Sequence, residues 1–410
     1  MLAFVLPVFI GRLLWRSRTN TSYRRRMRER FGFVPRQSNL AIWVQAVSVG
    51  EVVAVAPLVR ALQQRMPRYE VVLTTTTPTG SAEAVRLLGD TVLHYYFPYD
   101  MVSFIQRFVR RLSIKACITV ESEIWPNLIH TLHREGVPLF LVNARLSAKS
   151  QKKYEKWSHF ALPILSRYRH IIARDQHDYD AFSRVGVSPE QLSMGGNIKY
   201  DLQYSEAEIE KGNQWRDLLG SRPVWIAAST HPGEEALLLQ SHAKLIETIP
   251  GVCLVLVPRH PERVKDVVRL LHEHNLSFVL RSESVGMIEA SVLVVDTIGE
   301  LRAFFVASDI VFMGGSLVPI GGHNFLEPAL LSKPLLSGPH LTNFTEMSAK
   351  LIANQGLIVI HDKDQLCSKI EEWILEPALS QRVGKQAHRI FDHNKGAIQR
   401  HISIIESHLD

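Results

Sequence analysis

Acid–base and anion chemistry are within reach of a few residues in this chain. Glu51 closes the turn Ala46-Val47-Ser48-Val49-Gly50-Glu51-Val52, between an apolar run and a stretch of helical spacing. A carboxylate there meets the unpaired N–H groups and positive dipole end of a helix start, as a cap or as a base resting ionised. Glu121 and Glu123 follow another apolar run and precede Trp125-Pro126-Asn127. Carboxylates at period two on a strand point the same way, so repulsion raises at least one proton affinity unless a cation intervenes. Two cations stand past further runs: Lys199 in Gly195-Gly196-Asn197-Ile198-Lys199, and Arg259 in Pro258-Arg259-His260-Pro261. Arginine suits bidentate capture of phosphate or carboxylate.

A glycine-rich stretch adds an anion-type signal. Gly314-Gly315-Ser316 is followed by Gly321-Gly322-His323-Asn324 and then Leu326-Glu327-Pro328. Glycine pairs let backbone approach an anion, and a helix beginning near Asn324 would offer it N–H groups. Glu327, one turn in, could accept both hydroxyls of a ribose. Neither G-x-G-x-x-G nor G-x-x-x-x-G-K-[ST] occurs, which disfavours Rossmann dehydrogenases and P-loop NTPases. His130 and His133 share a helix face without an evident third ligand, so no metal site is expected. Cys117, Cys253 and Cys367 are widely spaced and read as reduced core residues of a cytosolic protein.

These residues need a scaffold that brings strand ends together. At 410 residues the chain suggests two domains of roughly 200 each. Strands are expected at Leu40–Val44, Val71–Thr75, Val92–Phe97, Ala116–Val120, Leu139–Val142 and Ile171–Ala173, alternating with helical patterns that include Lys152–Leu165. A polar stretch, 201–221, with one short helical pattern inside, reads as a linker. The rhythm resumes at Val224–Ala228, Cys253–Val257, Phe278–Leu280, Val292–Val295, Ile310–Met313 and Leu335–Leu336. This is the pattern of two doubly wound parallel sheets, with a cleft expected between them. Leu366 to Leu409 reads as helical and long enough to pass back over the first domain.

Charge is uneven. The first thirty residues hold eight arginines and one acid, so the net charge of +7 lies entirely at that end. Beside it Leu2 to Trp15 is apolar but shorter than the roughly twenty residues a span needs, and it has no small-residue cleavage site. An interfacial anchor is expected, its arginines against anionic lipid headgroups on the cytoplasmic side of a membrane.

A sheet-pair cleft, an anion-and-ribose site and a carboxylate base together suggest glycosyl transfer from a nucleotide sugar. The chain resembles the Kdo transferases of lipopolysaccharide assembly over essentially its whole length. The resemblance rests on Ser48-Val49-Gly50-Glu51, Thr77-Pro78-Thr79-Gly80-Ser81, Glu121-Ser122-Glu123-Ile124-Trp125-Pro126-Asn127 and Asn143-Ala144-Arg145-Leu146-Ser147. It continues through Gly196-Asn197-Ile198-Lys199, Ala227-Ala228-Ser229-Thr230-His231, Val257-Pro258-Arg259-His260-Pro261, Asp296-Thr297-Ile298-Gly299-Glu300 and Gly321-Gly322-His323-Asn324.

The resemblance implies an α/β protein of the GT-B fold, two Rossmann-like domains facing a central cleft. Residues 1–38 would be the membrane-associating segment and 39–200 the acceptor domain. After the linker, 222–385 would bind the CMP-sugar, and 386–410 would form a helix packing back on the first domain. The implied reaction moves 3-deoxy-D-manno-oct-2-ulosonic acid (Kdo) from CMP-Kdo to the lipid A precursor, lipid IVA, with inversion, at the cytoplasmic face of the inner membrane. No cofactor or metal is implied. Glu51 would be the general base, and Glu121 and Lys199 transition-state stabilisers. Pro258, Arg259, Ile298, Gly299, Glu300, Asn324, Phe325, Leu326 and Glu327 would bind CMP. Phe325 stands where the family usually has proline, and Pro232 replaces a more usual acidic residue after His231. The alternatives are a UDP-sugar transferase of the same fold and a membrane-tethered nucleotide or nucleic-acid binder without chemistry. The acidic residues expected to line the first domain argue against a nucleic-acid groove.

Overall fold

The computed structural model describes residues 26–392 and 395–409. The described residues of Met1–Asp201 and Asn394–Asp410 form one compact unit, those of Leu202–His393 another.

The first unit holds seven parallel strands: β1 (Ala41–Gln45), β2 (Glu70–Thr75), β3 (Leu93–Tyr96), β4 (Ile114–Val120), β5 (Leu139–Ala144), β6 (His170–Ala173) and β7 (Leu192–Met194). Their order is β3-β2-β1-β4-β5-β6-β7. Helices cover both faces, so the central strands read as unbroken apolar runs; Trp43, Val44 and Ile118 are fully buried. The order reverses between β1 and β4. The turns after those strands, Ser48–Glu51 and Glu121–Trp125, therefore flank the crevice where an open α/β sheet presents groups to a ligand.

The helix after β1, Val49–Arg65, starts because Ser48 is an N-cap whose hydroxyl accepts from the Glu51 N–H. Its apolar face, including Val52, Val55, Leu58, Val59 and Leu62, is buried at helical spacing. The final helix, Ala397–Glu406, adds Ile398, Ile402 and Ile405 to the same core. Its His401 allows no side chain at Gly195, where a Cβ would lie 2.5 Å from the imidazole.

The second unit repeats the plan with β8 (Val224–Thr230), β9 (Cys253–Pro258), β10 (Phe278–Leu280), β11 (Val292–Val294), β12 (Ile310–Met313), β13 (Leu335–Ser337) and β14 (Leu357–Val359). The order is β10-β11-β9-β8-β12-β13-β14, again all parallel and reversing beside the first strand of the unit.

Several expectations need correction. Residues 201–221 are not a free linker: Glu206–Leu219 is a helix of the second unit. It packs on the helix Leu301–Ala307 so closely that a Cβ on Gly212 would stand 2.4 Å from that of Val306. The C-terminal stretch is three helices, Lys363–Leu375, Pro377–Asp392 and Ala397–Glu406. Proline begins the second and left-handed Gly396 precedes the third, so the passage to the first unit comes after residue 392 rather than at 386. The helix expected over Lys152–Leu165 is two, Ala148–Lys156 and Ser158–Leu165, separated at Trp157. Edge strands β7 and β14 and the helix Gln176–Val185 were not expected; both strands are only three residues long.

The apolar segment Leu2–Trp15 lies outside the described residues. Among the described residues, no helix is long and apolar enough to cross a membrane. Among the described residues, Arg26 and Arg30 of the N-terminal arginines have partners within the fold. Arg26 donates to Glu29 at 2.7 Å and to the His94 carbonyl at 2.5 Å. Arg30 is 3% exposed, lies over the Tyr96 ring and donates to the Thr76 carbonyl.

Candidate active site

Glu51 folds back on its own turn. Its carboxylate accepts from the Val47 N–H at 2.8 Å and from the Ser48 hydroxyl at 3.1 Å. Ser48, not Glu51, caps the helix, and the bonds from Val47 and Ser48 do not leave the Glu51 carboxylate with a low proton affinity. Burial raises that affinity, the Val47 and Ser48 bonds lower it, the charge of Glu121 raises it and Lys199 lowers it; the net shift is upward. Desolvation thus outweighs the helix-start environment expected to favour the ionised form.

Glu121 is not a simple strand end. It takes a left-handed conformation, φ 58°, while its N–H still donates to the Val142 carbonyl. Asn143 on β5 does the same at φ 51°. Such backbone is costly for residues with a Cβ, and the neighbouring structure has to impose it. Lys199 closes on this turn, its ammonium 2.5 Å from Glu121 Oε1. Asn143 holds the segment that carries Lys199, because its side-chain oxygen accepts from the Ile198 N–H at 3.2 Å. His401 of the last helix supports Asn143 in turn. Its Nδ1 donates to the Ala397 carbonyl and its Nε2 accepts from the Asn143 N–H, which requires a neutral ring. Complete burial holds that imidazole down at about 4. The helical pattern of the C-terminal stretch gave no sign of this role.

Glu123 stands beside this group, its backbone N–H turned back to the Val120 carbonyl. Its carboxylate accepts from the Trp125 indole N–H at 2.8 Å. Burial, then the charge of Glu51, push its carboxyl up to about 7 against that bond, and Glu121 adds to the rise. Sequence reasoning had paired it with Glu121 but given it no part in the site.

In the second unit the glycine-rich stretch is organised around a residue that sequence reasoning passed over. Glu234 is fully buried, and its carboxylate accepts from the N–H groups of His231, Gly315, Ser316 and Leu317 at 2.7–3.0 Å. Those donors were expected to meet an anionic ligand; an internal carboxylate occupies them. The N–H groups of Gly321 and Gly322 donate to the Gly315 carbonyl, and that of Leu326 to the Asn324 side chain. The helix there is only Leu326–Leu330, too short to act as the expected anion cradle. A glutamate just after a strand–turn motif, ahead of a glycine pair one strand away, is the signal that could have revealed this.

The other expected residues are arranged as follows. Arg259, just past β9, is exposed, and its N–H donates to the Thr230 carbonyl. His231 and His323 stack, with their Nε2 atoms 2.9 Å apart. Burial, then the neighbouring His231, hold His323 down at about 4. Ile298 is 86% exposed and Gly299 left-handed, whereas the Glu300 carboxylate is enclosed. Arg281 donates to it twice, Lys211 stands 2.8 Å away and Thr297 donates its hydroxyl. Burial opposes ionisation, but these partners hold Glu300 down at about 2. Glu327 lies 4.0 Å from Arg302, and burial raises its proton affinity. Phe325 is fully buried against Phe344, so only its backbone faces the stretch assigned to CMP. Asp175, His177 and Asp178 also stand close together. There Asp178 accepts from the Leu146 N–H and from Arg174, and Asp175 caps its helix, so these acids have structural work.

A family model described as 3-deoxy-D-manno-octulosonic-acid transferase (kdotransferase) matches residues 25–202. A 3-deoxy-D-manno-octulosonic acid transferase of Haemophilus influenzae is 39% identical, covering 98% of this chain and 95% of the relative. The chain belongs to the Kdo transferase family. Another Kdo transferase, from Bordetella pertussis, is 31% identical over 90% of this chain and 87% of its own length. The chain is accordingly a glycosyltransferase. Among solved structures, the UDP-GlcNAc 2-epimerase of Neisseria meningitidis superposes with a TM-score of 0.58 at 13% identity, covering 90% of this chain and 99% of that one. That likeness shows the fold alone: two Rossmann-like units of the GT-B type, as the two seven-stranded parallel sheets require.

Proposed function

We propose that this Kdo transferase moves Kdo from CMP-Kdo to a hydroxyl of the lipid A precursor, lipid IVA, with inversion at the anomeric carbon. Glu51 is the general base. It takes the acceptor proton as the acceptor oxygen bonds to the anomeric carbon, while the bond from that carbon to the phosphate oxygen breaks and CMP leaves with the electron pair. The observation that carries this reading is Glu51 itself, held by Val47 and Ser48 yet raised in proton affinity by burial. A base needs a proton affinity closer to neutrality than a free carboxylate has.

Glu121 and Lys199, paired at 2.5 Å, stabilise the charge that develops as the donor's bond breaks. Pro258, Arg259, the Ile298–Glu300 turn and Asn324–Glu327 take CMP, with exposed Arg259 toward its phosphate. With its carboxylate closed by Arg281 and Lys211, Glu300 contributes through backbone. The chain's own cations serve the leaving phosphate, and the reading assigns no metal or cofactor. Glu51→Gln should keep the fold and CMP binding while lowering turnover of CMP-Kdo by about 10²–10⁴. Near-normal turnover would remove Glu51 from that role.

The work takes place at the cytoplasmic face of the inner membrane, where an arginine-rich, apolar N-terminal segment would meet anionic lipid. Deleting residues 1–20 should release the protein from anionic vesicles in a flotation assay. Undiminished binding would move the lipid contact elsewhere.

A further inference from the structure

A lysine carries its charge on a flexible four-carbon stem, so its ammonium stands only as well as its backbone is placed. Lys199 belongs to a short segment, 195–201, and the last helix of the first unit, Ala397–Glu406, grips that segment at both ends. At one end the Arg400 guanidinium donates to the Gly195 carbonyl at 2.8 Å, and the His401 ring fills the space a Gly195 side chain would need. At the other end the Asp201 carboxylate accepts from the Gly396 and Ile398 N–H groups at 2.6 and 2.5 Å, where a helix start leaves donors without intrahelical partners. Between these ends Ile198 is buried in the same core as Ile398 and Ile402. Its N–H goes to the Asn143 side chain, and the Asn143 N–H goes to His401 Nε2 at 3.1 Å. Asn143 keeps its left-handed φ of 51° because partners such as these hold it there. Each bond ties the Lys199 segment to the last helix, directly or through Asn143. The ammonium at the end of this chain of contacts is the one 2.5 Å from Glu121.

We propose that His401 and Asp201 are positioning residues for the transfer, through which the last helix sets where Lys199 stands against Glu121. The inference rests on the reading of Lys199 as a stabiliser of the developing charge. His401 is fully buried, so it acts on the reaction through Asn143 and Lys199 and not on substrate. A displacement of about 1 Å in a catalytic group costs about 10²-fold in rate, so a helix that fixes this segment matters to turnover as well as to stability.

Steady-state kinetics of the full chain with CMP-Kdo and the lipid acceptor separates this from a structural role. His401→Leu takes away the acceptor of the Asn143 N–H. It should lower kcat about tenfold, the effect of a shift well under 1 Å, and leave KM for CMP-Kdo unchanged, since the segments assigned to CMP belong to the second unit. His401→Gln keeps a side-chain oxygen for that N–H and should recover most of the loss. Asp201→Asn leaves one helix-start N–H without its acceptor and should lower kcat in the same way; it carries the test should His401→Leu not fold. Added to Lys199→Ala, either substitution should cost nothing further, because the group it positions is gone. Losses that multiply are the mark of disturbed packing and would overturn the proposal. So would a loss confined to KM, or kcat like that of wild type in both variants. Lys199→Ala alone keeps the two readings apart. If it is slow while His401→Leu and Asp201→Asn behave as wild type, only the positioning fails; if it turns over normally, the role given to Lys199 fails first.

Discussion

Buried or half-buried carboxylates stand past the strand ends of both sheets, and their surroundings differ. In the second unit, Glu234 receives four backbone N–H groups, and Glu300 is met by Arg281, Lys211 and Thr297. Every lone pair that matters has a donor, and Glu300 stays ionised down to about 2. In the first unit, Glu51 has two donors and Glu123 one, and both are raised in proton affinity. Saturated carboxylates act as fasteners: Glu234 ties the turn after β8 to the loop after β12. The undersupplied carboxylates are the ones raised in proton affinity, as groups that exchange protons at functional sites are. Glutamates past the strand ends of one fold thus meet different surroundings, four backbone N–H groups at Glu234 and three charged or hydroxyl partners at Glu300 against two donors at Glu51 and one at Glu123.

Neutralising a fastener is the hardest blow to that contrast. Glu234→Gln turns an acceptor of four N–H groups into one that presents its own N–H groups to them. The second unit should lose about 3 kcal/mol or more by denaturant titration. A midpoint like that of wild type would mean the carboxylate does not hold the loop. Acid is the next largest effect. His94, His170, His242, His323 and His401 are each held by burial at about 4. Each is neutral in the fold and charges on unfolding below about 6.5. Their contribution is therefore complete above that pH and is lost as pH falls toward 4. Tm at pH 5 should lie about 5 °C or more below its value at pH 7.5. A flat profile would mean these rings are not neutral in the fold. Glu300, lowered to about 2, does not join this loss, because its contribution goes only as pH falls through that value.

The smallest effect has the opposite sign. A carboxyl raised in the fold contributes stability that is present at low pH and lost as pH rises through its folded value. Glu51→Gln should therefore leave Tm at pH 8 unchanged or higher by about 2 °C, even as it lowers turnover by about 10²–10⁴. A large fall in Tm would make Glu51 a fastener like Glu234.

Most of the scaffold was legible because buried parallel strands are apolar on both faces and carry their signal in composition alone, as Trp43–Val44 and Cys253–Val257 do. The three-residue edges β7 and β14 were not, whereas β10, an edge of the same length, was. Glu51, Glu121 and Lys199 were picked out as candidates from strand-end position and motif. Tertiary structure brings Lys199 to 2.5 Å from Glu121, places Glu51 within reach of both charges, and reveals Asn143 and His401 behind them. Contacts across 258 positions, as between Asn143 and His401, leave no local pattern.

The sequence by itself determined the fold class and the family, because hydrophobic periodicity and motifs are local. It did not determine the protonation of the acids. Glu51 was expected to favour its charged form and is raised; one of Glu121 and Glu123 was expected to be raised by their mutual repulsion, and Glu123 is pushed to about 7, but by burial first and then by Glu51. Glu234 was read only as the end of the strand-to-helix turn Ser229–Glu234 and holds the loop whose N–H groups had been assigned to a ligand. Proton affinity follows from desolvation and from charges and donors brought in from other segments, and only the folded chain brings them together.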